Sequence, residues 1–142
     1  MGRQPLIRLG KCVNVFVADA LMAYGASAQA GIYDCRPDVK YECGGPACER
    51  ITKDFCHAEY FIFSESDDTL LACPWTACYE GVSGKCLHTD GFTAVGRLQK
   101  DGSRDETKLV SLSVSNDERF TAIWNHSGDS TTLDMGICTS TD

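Results

Sequence analysis

The clearest pattern lies in the last third of the chain, where apolar and polar residues alternate with a period of two. In LVSLSVS, Val110, Leu112 and Val114 share one face and serines the other. RFTAIW groups Phe120, Ala122 and Trp124, and TLDMGIC groups Leu133, Met135 and Ile137, with Asp134 and Gly136 opposite. The polar segments SNDE and NHSGDS separate these runs. Alternation of this kind predicts strands with one dry face, and short connections predict an antiparallel meander. Upstream, EYFIFS predicts a strand with Phe61 and Phe63 on one face and Tyr60 and Ile62 on the other. GFTAVGRLQ predicts another strand, and QKDGSRDET a hydrophilic loop with a turn signal at Asp101-Gly102. A meander needs a layer over its dry face. The candidates are the cysteine-rich stretch between residues 43 and 88 and a helix near the N-terminus, where Val15, Ala18, Leu21, Met22 and Gly25 fall on one stripe. The expected class is α+β, sheet-dominated, in a single domain over residues 31–142.

The cysteine-rich stretch repeats its own spacing. Cys43, Cys48 and Cys56 are separated by four and then seven residues, and so are Cys73, Cys78 and Cys86. An alanine precedes the second cysteine each time (Ala47, Ala77), and a histidine follows the third, His57 at once and His88 after one residue. Thiols at this density become disulfides in an oxidising compartment. One bridge can be argued from position: Cys35 and Cys138 lie outside both blocks and near the two ends of the domain. The rest of the connectivity stays open, because eight cysteines allow 105 pairings. Zinc is the alternative. Cys43, Cys48, Cys56 and His57 make one set of three cysteines and a histidine, and Cys73, Cys78, Cys86 and His88 make another. The C-x₂-C spacing usual in such sites is absent.

The nine cysteines are an odd number, and the N-terminus offers a way to make it even. Residues 1–11 carry three basic side chains and no acid, an apolar-leaning run follows, and Ala28-Gln29-Ala30 has the small-x-small form of a signal-peptidase site. Cleavage after Ala30 removes Cys12 and leaves 10 basic and 19 acidic residues, a net charge of −9. Secretion is the expectation, with residues 1–30 as signal peptide or, failing that, as an N-terminal helix of the fold. The run is too short and too polar to span a bilayer, so no membrane partner is expected. The acidic balance argues against binding nucleic acid, which needs a positive field.

No residue set has the types and placement that acyl transfer, phosphoryl transfer or metal hydrolysis requires, so the expectation is a protein without catalytic residues. His126 with Glu118 or Asp129 would be the raw material of a small hydrolase or ribonuclease, but all three sit in segments that are polar in any fold. Asn125-His126-Ser127 fits the glycosylation pattern, with Asn125 as acceptor in an exported chain.

Two tripeptides near the start of the mature region, Tyr33-Asp34-Cys35 and Tyr41-Glu42-Cys43, together with small size and a late cysteine, resemble the secreted cysteine-rich effectors of plant-pathogenic fungi that carry an aromatic-x-Cys motif. That resemblance implies a virulence or avirulence protein. It would act in the plant apoplast or in the host cytoplasm after delivery, as a monomer, by binding a host plant protein, and an immune receptor could recognise it. Some such effectors have ribonuclease-like folds without catalysis and bridge the early cysteine to the late one, which here maps onto Cys35 and Cys138. Others bind zinc through repeated cysteine–histidine modules.

Overall fold

A computed structural model of the chain describes residues 30–51, 59–74, 77–125 and 130–141. Among them are nine strands and no helix: β1 (Ile32–Gly44), β2 (Ala47–Ile51), β3 (Tyr60–Ser64), β4 (Thr69–Cys73), β5 (Tyr79–His88), β6 (Gly91–Lys100), β7 (Thr107–Ser115), β8 (Arg119–Asn125) and β9 (Thr131–Thr141). From β3 to β9 each strand pairs antiparallel with the next, and β9 pairs back onto β1 along nearly the whole of both strands. The first residues of β1 pair with β3, which closes an eight-stranded antiparallel barrel. β2 folds back on the far half of the same β1 edge.

The class is therefore all-β rather than α+β. The expected covering layer is not needed, because the sheet curls until its dry face lines its own interior. Closure also removes the free edges that an open meander would present. The helical stripe read in residues 15–25 lies outside the described residues.

Interior positions follow the pleat. Rows cross β6, β7 and β8 as Ala94–Leu112–Ala122 and Phe92–Val114–Phe120, setting a large residue between small ones in the first. Phe61, Phe63, Leu70 and Leu98 complete the core and are at most 2% exposed. Each large side chain buried in this way contributes about 1.5–3 kcal/mol. Edge-to-face and tilted contacts of Phe92 with Tyr33 (4.9 Å) and Phe63 (5.1 Å) pack the lower end, where Ile32 and the β7–β8 turn lie. The Lys85 ammonium sits 4.6 Å over the Phe92 ring and is paired with Glu65.

Three stretches go beyond the sequence reading or depart from it. Residues 31–45 carry the turn formers Pro37, Gly44 and Gly45, yet residues 32–44 form the long β1. The strand survives its proline because the register shifts between Pro37 and Val39, a bulge where a missing N–H costs nothing. Residues 79–88, where Gly81 and Gly84 speak against a long helix and no strand is assigned, form β5. The third departure is β9. Its buried face carries Thr132, Asp134 and Cys138, and its apolar residues Leu133, Met135 and Ile137 point outward. Gly136 takes part in this inversion, since a Cβ there would stand 2.0 Å from the Arg36 carbonyl oxygen at the β1 bulge.

Candidate functional site

The pleat that puts phenylalanines inside the lower end puts polar residues inside the upper one. Following the inward parity of each strand upward gives Lys40 on β1, Glu59 just before β3, Tyr79 on β5, Lys100 on β6 and Lys108 on β7. Trp124 on β8 and Thr132 and Asp134 on β9 complete the set. Register holds them together: Lys40 is the cross-strand partner of Asp134, Trp124 of Thr132, and Tyr79 of Lys100. The bulge at Pro37–Val39 brings Lys40 into this set, because it shifts the inward parity of β1 from odd to even numbers.

Four of these side chains are almost entirely out of water: Lys40 (6% exposed), Glu59 (4%), Thr132 (1%) and Asp134 (0%). Lys40 donates to Glu59 Oε1 in a buried ion pair. The Trp124 indole Nε1 donates to Asp134 Oδ2 at 2.6 Å. The Lys40 and Lys108 ammoniums stand 5.3 and 5.2 Å from the Trp124 ring. Nearer the rim, the Tyr79 hydroxyl donates to Glu106 Oε1 at 2.5 Å and Lys100 donates to Glu106 Oε2 at 2.7 Å. Within this set Glu59 Oε2, Thr132 Oγ1 and Asp134 Oδ1 have no hydrogen-bond partner among the described residues.

The electrostatics follow from burial. Loss of solvation pushes Asp134 up to about 6, helped by the nearby charge of Glu59 and opposed by the Trp124 hydrogen bond. Burial and the Glu106 carboxylate push Tyr79 up to about 12. Lys108 is lowered, mainly by desolvation. Glu106 is held below the usual carboxylate range by the hydrogen bonds from Lys100 and Tyr79. The set thus holds three lysines and three carboxylates, a balanced charge in a poorly hydrated place.

The outside of the barrel presents a second feature. Register places Ile123 beside Leu133 and Leu133 beside Tyr41, with Met135 and Val39 in the adjoining row. Ile137 continues the patch, and Ile123 and Ile137 are 47% and 54% exposed. Among the described residues every strand belongs to the one sheet, so none lies across this outer face.

The cysteines occupy distinct places. Cys35 is bridged to Cys138 across the β1–β9 seam, where the two are direct cross-strand partners. Cys43 is bridged to Cys48, and Cys73 to Cys78. The repeat in the sequence therefore has a local meaning. Each C-x₄-C pair ties two antiparallel neighbours together, β1 and β2 across Gly45 (φ 61°), and the end of β4 and the start of β5, where Ala77 N donates to Pro74 O at 3.1 Å. A bridged sulfur offers no thiolate to a metal, so neither block holds a three-cysteine zinc set. Among the described residues no three His, Cys, Asp or Glu side chains converge as a metal site would require. Cys86 lies exposed on β5, and His88 near the end of that strand has its Nε2 3.4 Å from Thr93 Oγ1. Cys56 and His57 lie outside the described residues.

Glu118 sits in the β7–β8 turn, at the opposite end of β8 from Asn125. His126 and Asp129 lie outside the described residues. Asn125 is exposed, and its Oδ1 accepts from Leu109 N at 2.8 Å. The upper-end cluster was not found by sequence reasoning. Its one signal was Asp134, a charge on the regular beat of a strand.

Comparison with protein-family models, with curated proteins and with solved structures gives no match to this chain.

Proposed function

We propose that this chain is an exported, non-enzymatic effector that works by holding a host plant protein against the outside of its barrel, and that an immune receptor can recognise it there. The observation that carries this reading is the inversion of β9, which leaves Leu133, Met135 and Ile137 on the outer face beside Ile123, Val39 and Tyr41. A contiguous apolar surface of this kind marks an interaction site when nothing else covers it. The chain's acidity selects the partner's chemistry: an apolar contact strip with a basic rim would complement a mature chain of net charge −9. Three disulfides fit action in the space outside plant cells, where thiols stay oxidised.

The test replaces Ile123 and Ile137, both half exposed, by lysine. The double variant should melt at the temperature of the parent and export normally, yet lose the growth advantage or the immune response that the parent gives in host tissue. An unchanged host response would overturn the reading. So would an exported chain that keeps Met1 and shields Ile123 and Ile137 with its own first 30 residues.

A further inference from the structure

We propose that the groove between the β6–β7 loop and the outer face of β5 and β6 binds a small organic acid, whose single carboxylate is held by Arg97 and Arg104. The site lies on other strands than the apolar strip of β8, β9 and β1 invoked above, and the two readings are independent. Register lays its floor. Glu80 is the cross-strand partner of Gln99, and Gln99 of Thr107, and by the alternation of each strand all three point outward. Val82 and Arg97 occupy the next outward positions of β5 and β6. The wall is the loop at residues 101–106, pinned at its base. Asp101 N donates to Cys78 O at 3.0 Å, beside the Cys73–Cys78 bridge, and Ser103 N donates to Lys100 O at 3.1 Å. Gly102 (φ 74°) lets the chain turn there, and Arg104 comes to line the same cavity as Arg97. That cavity has a volume of about 470 Å³, within the usual range for small-molecule sites.

Charge decides the ligand. The charged side chains that line the cavity are Glu80, Arg97 and Arg104, two cations against one anion. The ion pairs among the described residues use Arg36, Lys40, Lys85 and Lys100, so neither guanidinium has a carboxylate partner there. Arg97 is oriented by its Nε, which donates to Thr107 Oγ1 at 3.2 Å and leaves the two terminal nitrogens for a ligand. A guanidinium fork matches the two oxygens of a carboxylate. One monoanion would make the cavity neutral. A doubly charged phosphate would overshoot against Glu80, and an ammonium would meet two arginines. Lys100 and Asp101 line only the adjoining cavity of about 540 Å³, where they add one charge of each sign. The negative net charge of the whole chain does not forbid an anion here, since exposed charges beyond about 8 Å are largely screened at physiological salt. Val82, 73% exposed, offers the carbon chain of the acid an apolar contact.

Amide NMR shifts of the exported, oxidised protein would be followed in titrations with butyrate and benzoate, and separately with inorganic phosphate and butylammonium. At least one of the two carboxylates should saturate, with the largest shifts at Gly81, Gln99 and Thr107. Arg97→Gln and Arg104→Gln, both at exposed positions, should each weaken that binding about tenfold. Glu80→Gln removes the competing carboxylate and should tighten it severalfold. Arg119→Gln, at the start of β8, should leave it unchanged. The proposal fails if neither carboxylate saturates, if butylammonium binds as tightly, if phosphate binds more tightly than both carboxylates, or if neither arginine variant changes the affinity. The outer-face variant with lysine at positions 123 and 137 should still bind the carboxylate, so that loss of the host response there leaves this site standing.

Discussion

Asp134 is the residue on which the interior turns. It sits wholly buried, takes one hydrogen bond from Trp124, and has its affinity for a proton raised from the ordinary 3.8 to about 6. A group whose folded value lies above its unfolded one contributes stability that is complete below the unfolded value and is lost as pH rises through the folded one. Asp134 should therefore favour folding at pH 4–5 over pH 7, by on the order of 2–3 kcal/mol. The carboxylates held low by their partners, Glu65, Asp67, Glu106 and Asp117, act in the opposite direction, but only as pH falls through their ordinary values of 4.5 and 3.8 and below. Between pH 7 and 5 those four carboxylates stay ionised, so among the shifted carboxylates Asp134 is the one that titrates there, and Asp134→Asn separates its share from that of the histidines. Denaturation midpoints there should rise on acidification, and Asp134→Asn should flatten the trend; a midpoint falling over that interval in the parent would refute it. Gly136 makes a second prediction at this scale. A Cβ would collide with backbone at the β1 bulge rather than with a movable side chain, so Gly136→Ala should cost about 2 kcal/mol or more in a denaturant titration. An unperturbed midpoint would mean that the seam is looser than its register shows. Neither residue was legible as special in the sequence, because parity alone does not say which face of an alternating strand turns inward.

At the scale of elements, that ambiguity was resolved differently from strand to strand. β7 and β8 could be read in full, since Val110, Leu112, Val114, Phe120, Ala122 and Trp124 are the apolar choice and the buried one. β9 obeys the same alternation and faces the other way, because Cys138 is tied to Cys35 inside and this fixes the parity of everything above it. β1 and β5 were hidden by Pro37, Gly81 and Gly84, residues that punctuate an isolated strand but fit a bulged or closely packed one. The repeated cysteine spacing was visible, but its meaning, two clamped antiparallel pairs, needed the pairing of β1 with β2 and of β4 with β5. The bridges differ accordingly in what they close. Cys35–Cys138 joins residues 103 apart, and Cys43–Cys48 residues 5 apart. On chain entropy the first restricts the unfolded state by about 4–5 kcal/mol and the second by about 2 kcal/mol. Paired alanine replacements, Cys35→Ala with Cys138→Ala against Cys43→Ala with Cys48→Ala, should show that order in urea midpoints. Equal losses would mean that native packing at the β1–β9 seam, rather than the covalent loop, decides.

The whole molecule is a barrel braced by disulfides at its closing seam and at two of its reversals, apolar inside its lower end and charged inside its upper end. Such a chain depends on where it folds. In a reducing compartment Cys35 and Cys138 would be two buried thiols at the β1–β9 seam, and the largest entropic restraint on the unfolded chain would be gone. The proposed export, with cleavage after Ala30, would suit the three bridges, and the N-terminus of the exported protein tests it. Protein recovered from the medium of a secreting host should begin at Gly31. Its native mass should lie below that of the fully reduced chain by about two daltons for each bridge, hence by about six daltons or more for the three. A chelator should leave its melting temperature unchanged, and a reductant should lower it steeply. The combination is diagnostic because each alternative fails a different part of it. A start at Met1 would place the first 30 residues in the working protein, whereas stoichiometric zinc with titratable thiols at Cys43, Cys48, Cys73 and Cys78 would replace both short bridges by metal sites.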